Sequence, residues 1–222
     1  MNIKVLFFLI IVSSLSCAKD AAEEETKTYS YLALGDSYTI GESVEEVERW
    51  PNQLVAKMKQ GGFMFNPAKI IAQTGWRTDN LEAGIVNEGV TEKYDLVSLM
   101  IGVNNFYQGK PLDEYEQGFR DLLEIAISKS KNGKDGVFVL SIPDYGMTPF
   151  GGGNKIIAID VWNSSCRNIC EESGVSYFDV TEISRLGIEQ PELVAEDGLH
   201  PSGTQYSLWV DEIYTNVIEK LN

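Results

Sequence analysis

The sequence predicts an α/β fold: a parallel sheet of about five strands with helices on both faces. Three observations point there. Short apolar runs alternate along the chain with longer segments of helical periodicity, and right-handed crossovers turn that alternation into a parallel sheet. The runs are continuously apolar, as strands buried on both faces are. Polar residues and glycines gather just after the runs, where open parallel sheets form their sites.

The first strand, Tyr29 to Leu34, runs straight into Gly35, Asp36, Ser37, Tyr38 and Thr39. Further strands are expected at Lys69 to Ala72, Asp95 to Ile101, Gly136 to Ile142 and Val175 to Phe178. Helical stretches fall between them, near Pro51 to Gln60, Thr78 to Val86, Leu112 to Ser130 and Asn154 to Ser173. The third is the clearest, because Leu112, Tyr115, Phe119, Leu122, Leu123 and Ala126 recur at helical spacing. A final helix from about Ser202 to Leu221 places Trp209, Ile213, Val217 and Leu221 on one core-facing side.

Ahead of this body, Met1 to Ser16 reads as an export signal. Lys4 supplies the positive end, and Val5 to Val12 is an apolar run too short to span a bilayer. Ser13, Ser14, Leu15 and Ser16 before Cys17 resemble a bacterial lipobox, with Ser14 where that motif more often has Leu. Residues 1–17 would then be a lipoprotein signal peptide with Cys17 lipidated as the new N-terminus; simple secretion is the alternative, and an uncleaved anchor or no signal the remaining readings. Residues 18–27 carry Asp20, Glu23, Glu24 and Glu25 without apolar periodicity and read as an acidic tether. The expected location is a Gram-negative-type cell envelope, periplasmic or surface, leaving residues 28–222 as one domain.

At 222 residues and 43% hydrophobic content, the chain is long enough to bury one substantial core. A formal charge of -15 makes nucleic acid and anionic bilayers poor partners, so membrane attachment would rest on lipid at Cys17. Cys166 and Cys170 lie four apart on one helical face, about 5 to 6 Å apart at Cβ and beyond ordinary disulfide reach. Two buried thiols are expected, with a strained bridge as the alternative in an oxidising compartment. One histidine and no Cys-x-x-Cys pair leave a zinc site without support, and no cofactor is expected.

Ser37 follows a buried strand just before a helix start, where outward N–H groups can hold an oxyanion. Taken alone, the turn more readily describes an ordinary strand-to-helix connection with a serine N-cap, and the rest of the chain reverses that. The one histidine, His200, stands three residues after Asp197, so a base and its orienting carboxylate share one loop. Pro201 disfavours helix at His200, and Ser202 can cap the helix that follows. Gly75 reads as a turn glycine or as backbone approaching an oxyanion, and Asn104 as a turn residue or a neutral amide donor. Tyr38, Trp76, Arg77, Tyr107 and the loop from Asp144 to Asn154 are candidates for shaping a pocket; Trp76 walls an acyl site or packs as core. The run from Gly151 to Lys155 lacks the ending of a phosphate-binding loop. The Gly-x-Ser-x-Gly elbow is absent, because Gly41 is too far from Ser37.

In order, Gly35-Asp36-Ser37, Gly75, Gly102-Val103-Asn104, and Asp197 with His200 resemble the SGNH/GDSL hydrolase family over nearly all of the chain from Tyr29. Asn105 stands where the family often has Asp, a departure that bears on local loop hydrogen bonds. The resemblance implies a flavodoxin-like three-layer α/β/α sandwich. It also implies Ser37 as nucleophile, His200 as base, Asp197 as its partner, and an oxyanion hole from the N–H groups of Ser37 and Gly75 with the Asn104 amide. The implied activity is a serine esterase without metal or cofactor, small-acyl or carbohydrate esters being favoured. A lysophospholipase or thioesterase on longer chains is the alternative, and a binding lipoprotein on the same fold is the reading from a different class.

Overall fold

The computed structural model describes Met1 and residues 27–221; the export signal, Cys17 and the tether up to residue 26 lie outside the described residues. Five parallel strands form the sheet: β1 (Tyr31–Gly35), β2 (Lys69–Ala72), β3 (Leu96–Met100), β4 (Val137–Leu140) and β5 (Ser176–Phe178). Their spatial order is β2-β1-β3-β4-β5, the flavodoxin-like arrangement. Central β1, β3 and β4 are buried along their whole length, whereas edge strands β2 and β5 are partly exposed. Chain direction across the sheet reverses at β1. Gly35 pairs with Ala72 on one side and Met100 on the other, so three strands end level and their following loops emerge together.

The first and third strands are shorter than the apolar runs predict. Thr28–Tyr29 pairs with Met64–Phe65 in a separate two-stranded sheet. Between that pair and β1, the buried Asp95 carboxylate accepts from the backbone N–H and the hydroxyl of Ser30, both at 2.8 Å, and from Lys131 at 2.7 Å. These bonds hold both strand entrances open, so β1 starts at Tyr31 and β3 at Leu96.

Helices α2 (Trp50–Gln60) and α8 (Gly203–Ile218) pack together, while α3 (Thr78–Glu88), α5 (Leu112–Lys129) and α6 (Ile157–Ser173) pack in series. Tyr31, Trp50 and Phe138 interlock between sheet and α2, and Tyr115 stacks on Trp162 between α5 and α6 at 4.7 Å. The predicted apolar stripe of α5 is buried from Tyr115 to Ala126, worth roughly 1.5–3 kcal/mol for each large side chain. Helix α6 starts three residues later than periodicity implies, because the Asn154 and Ile156 N–H groups are taken by the Gly146 carbonyl and Asp144 carboxylate. Cys166 and Cys170 are both buried and unbridged, and burial pushes the Cys166 thiol up.

Three short helices have no periodic signal in the sequence: α1 (Ser37–Ile40), α4 (Val103–Tyr107) and α7 (Thr181–Ser184). Asp36 caps α1, accepting from the Tyr38 N–H at 3.1 Å. Burial lifts its carboxyl to about 7, against the lowering effect of that N–H. An unfolded chain releases this proton near pH 4, so between about pH 4 and 7 the native state loses stability as pH rises, and the loss is constant above 7. Asp36→Asn keeps the cap and removes the penalty. Its stability advantage over the parent, read as urea midpoints at pH 5 and pH 8, is expected to grow with pH by a few kcal/mol at most; an unchanged gap contradicts the assignment.

Candidate active site

Gly35 ends β1 where a Cβ would lie 2.6 Å from the Met100 carbonyl, so only glycine lets β1 and β3 run this close. The next residues turn sharply into α1. Asp36 already serves the Tyr38 N–H, and among the described residues the Ser37 N–H has no intramolecular acceptor. Ser37 is 4% exposed and lies on the floor of a cavity of about 170 Å³.

The loop after β2 brings Gly75 to the same floor. Its φ of +83° is the left-handed conformation that favours glycine. Gln108 donates to the Gly75 carbonyl at 3.3 Å, while the Gly75 N–H has no acceptor among the described residues. Asn104, on α4, donates one amide hydrogen to the Trp76 carbonyl at 3.0 Å, which leaves the other for a ligand in the cavity. Asn105 is buried beside it. Its side chain accepts from the Thr78 N–H at 3.1 Å and donates to the Thr78 hydroxyl at 3.0 Å, tying the second loop to the third. An amide in place of the family's carboxylate thus keeps these loops joined.

His200 and Asp197 arrive on the loop before α8. His200 Nδ1 is 2.6 Å from Asp197 Oδ2. Asp197 also accepts from the backbone N–H groups of Leu199 and His200, each at 2.9 Å, and from the Ser43 hydroxyl at 2.7 Å. Partial burial pushes its carboxyl up, but the His200 bond and the other three outweigh that and hold it at about 2. A carboxylate ionised at neutral pH only accepts, so Nδ1 carries the proton and Nε2 is left as the acceptor. The Tyr38 ring meets the imidazole edge-on at 5.5 Å and limits its rotation. Ser37 and His200 share the cavity without a direct hydrogen bond among the described residues, an opening common before substrate tightens such contacts.

Ser43 carries no motif, and sequence reading missed it. Among the described residues it is the one non-glycine with positive φ, at 66°, and its hydroxyl is aimed at Asp197. Tyr145 and Phe150, also unforeseen as individuals, line the cavity from the loop whose span the sequence flagged.

Two pocket expectations are corrected. Trp76 does not line the cavity. Its ring lies on the backbone of α3, where a Cβ on Gly84 would meet Cζ3 at 2.6 Å, so it packs, half-buried, against the core. Arg77 is drawn along the loop by Gln108 at 2.6 Å and Asp79 at 2.7 Å, also outside the cavity. Tyr38 and Tyr107 do line it. Among the described residues no group of three His, Cys, Asp or Glu side chains is placed to hold a metal.

A serine between outward N–H groups, an amide donor and a carboxylate-held histidine suits acyl transfer. Solved structures with the same architecture include TesA, at 17% identity over 88% of this chain and 100% of that one, with a TM-score of 0.69. A second is the psychrotrophic esterase EstA from Pseudoalteromonas sp., at 17% identity over 87% and 99%, TM-score 0.64. A third is Axe2, an acetylxylan esterase from Geobacillus stearothermophilus, at 18% identity over 87% and 94%, TM-score 0.63. No curated protein matches the chain by sequence. The profile of the GDSL-like lipase/acylhydrolase family matches residues 33–208, and with that span covering most of the chain, this protein belongs to that family of carboxylic ester hydrolases.

Proposed function

We propose that this chain hydrolyses small-acyl esters of neutral alcohols, carbohydrate acetyl esters foremost, through an acyl-enzyme on Ser37. The observation that carries this reading is the cavity: about 170 Å³, with Ser37 and His200 on its floor and no Lys, Arg, Asp or Glu in its lining. A cavity of about 150 Å³ holds one benzene, so this one suits a short acyl group and not a long chain. An acetylxylan esterase among the structural neighbours agrees with that choice. Lysophospholipase or thioesterase activity on longer chains is the second reading. A purely binding role is disfavoured by the 2.6 Å Asp197–His200 pair, which ligand binding alone does not require.

In this mechanism the Ser37 hydroxyl attacks the ester carbonyl while His200 Nε2 takes its proton. The oxyanion accepts from the Ser37 and Gly75 N–H groups and the free Asn104 amide hydrogen. Collapse expels the alcohol, protonated by His200, and water then releases the acid by the same steps in reverse roles. Asp197 fixes the imidazole tautomer and stabilises the imidazolium. Export with lipidation at Cys17, in a Gram-negative-type envelope, completes the proposal, membrane contact being made through the lipid alone.

A fluorophosphonate probe is expected to label the parent protein, and both labelling and p-nitrophenyl acetate turnover should vanish in Ser37→Ala and His200→Ala, by about four orders of magnitude or more in turnover. Asn104→Ala should lower kcat by about 100 to 1,000-fold with little change in KM. An effect confined to KM would remove Asn104 from the oxyanion hole. Across p-nitrophenyl esters, rates should fall from acetate to octanoate, and the opposite order would favour the long-chain reading.

A further inference from the structure

Three aromatic rings close one side of the cavity mouth, each from a different segment. Tyr107 ends α4, Tyr145 lies in the turn after β4, and Phe150 sits in the loop that leads into α6. Their centroids form a triangle: 5.8 Å from Tyr107 to Tyr145, and 6.3 Å from Phe150 to each of the others. Tyr107 is 60% and Phe150 54% exposed, so these two rings present their surfaces to the cavity and solvent and are not absorbed into the core.

The loop carrying Phe150 is built to hold its place. The buried Asp144 carboxylate accepts from the Gly146 N–H at 3.0 Å, the Ile156 N–H at 3.1 Å and Arg185 Nε at 3.0 Å, and so clamps both ends of the loop. Its middle is fastened to the histidine loop, because the Phe150 N–H donates to the Gly198 carbonyl at 2.9 Å. That bond holds the Phe150 segment beside the loop that carries His200. In ester cleavage the histidine must deliver its proton to the departing alcohol oxygen, so the alcohol lies along the loop that carries His200.

The chemistry of the lining narrows the alcohol. With no cationic side chain in the cavity and a formal charge of -15 on the chain, an anionic headgroup finds repulsion and no counter-charge. A neutral polyol ring offers apolar C–H faces to aromatic surfaces and hydroxyls at its rim to the phenols of Tyr107 and Tyr145.

We propose that Tyr107, Tyr145 and Phe150 form the leaving-group subsite of this centre, and that it takes a neutral hydroxylated ring, such as a pyranose unit of an acetylated glycan, packed by its C–H face against the exposed rings of Tyr107 and Phe150. The inference rests on the esterase reading above and adds the residues that select the alcohol. The reaction is unchanged: the acetyl group passes to Ser37, and the sugar hydroxyl leaves with the proton from His200.

The test compares kcat/KM for a mono-acetylated methyl β-xylopyranoside with that for ethyl acetate, followed by acetate release. Parent protein is expected to prefer the sugar ester, and Phe150→Ala combined with Tyr107→Ala to cut that preference about tenfold or more, with Phe150→Tyr retaining it. Saturation-transfer NMR of free methyl β-xylopyranoside on Ser37→Ala protein gives a readout independent of turnover: ring C–H protons should receive saturation, and the double aromatic variant should abolish it. A preference that survives the double variant overturns the proposal, as does a sugar that receives no saturation. A double variant that changes the ethyl octanoate to ethyl acetate ratio and leaves the sugar preference intact assigns the rings to the acyl side and overturns it too. If the parent hydrolyses neither ester and resists the fluorophosphonate, yet the sugar is saturated through these rings, the subsite stands and the esterase reading falls.

Discussion

Three parallel strands end level at Gly35, and the site exists because of that register. With Gly35 opposite both Ala72 and Met100, the turns after β1, β2 and β3 leave the sheet side by side. Ser37, Gly75 and Asn104 therefore meet although they are far apart in the chain. A one-residue slip would exchange the faces of every side chain in a buried strand, so the apolar core itself enforces the alignment. The close approach of β1 to the Met100 carbonyl adds a local lock that tolerates only glycine.

Cross-loop polar contacts turn this coarse alignment into a site. Asn105 joins the second loop to the third, Asn104 repeats that link through the Trp76 carbonyl, and Ser43 ties the segment after α1 to Asp197. Each is a side chain from one loop bonded to another, so no loop can move alone. The same device holds the outer wall, where Arg185 is only 8% exposed and pairs with Asp144 at 3.0 Å while also reaching Asp160 and Glu182. Burying such a pair is costly unless its remaining donors and acceptors are satisfied. Here both partners are occupied several times over. The result is a rigid frame around a cavity lined by no Lys, Arg, Asp or Glu.

Periodicity and punctuation made the frame legible before any coordinates. Buried strands and the long amphipathic helices follow from apolar spacing, and their order along the chain sufficed for a parallel sheet. Errors lie where a polar group overrides the apolar pattern. Asp95 takes the Ser30 N–H and shortens two strands, and Asp144 takes the Ile156 N–H and delays α6. The five-residue helix α4 and the four-residue α7 left no signal for a related reason: they are too short for a period and are held by tertiary contacts.

The sequence by itself determined the fold class, the family resemblance, the pairing of Asp197 with His200 and the chemical type of each polar residue on the cavity floor. These depend on local spacing or on which residues are present at all. Only the tertiary structure decided that Trp76 and Arg77 turn away from the cavity, that Ser43 supports Asp197, and that Tyr107, Tyr145 and Phe150 converge. Those outcomes turn on rotamers and on contacts between segments distant in sequence, where a side chain goes to whichever neighbour satisfies or buries it best. Aromatic residues show this most plainly: Trp76 and Tyr107 look alike in the sequence, and the backbone of α3 at Gly84 is what draws one of them away from the cavity and against the core.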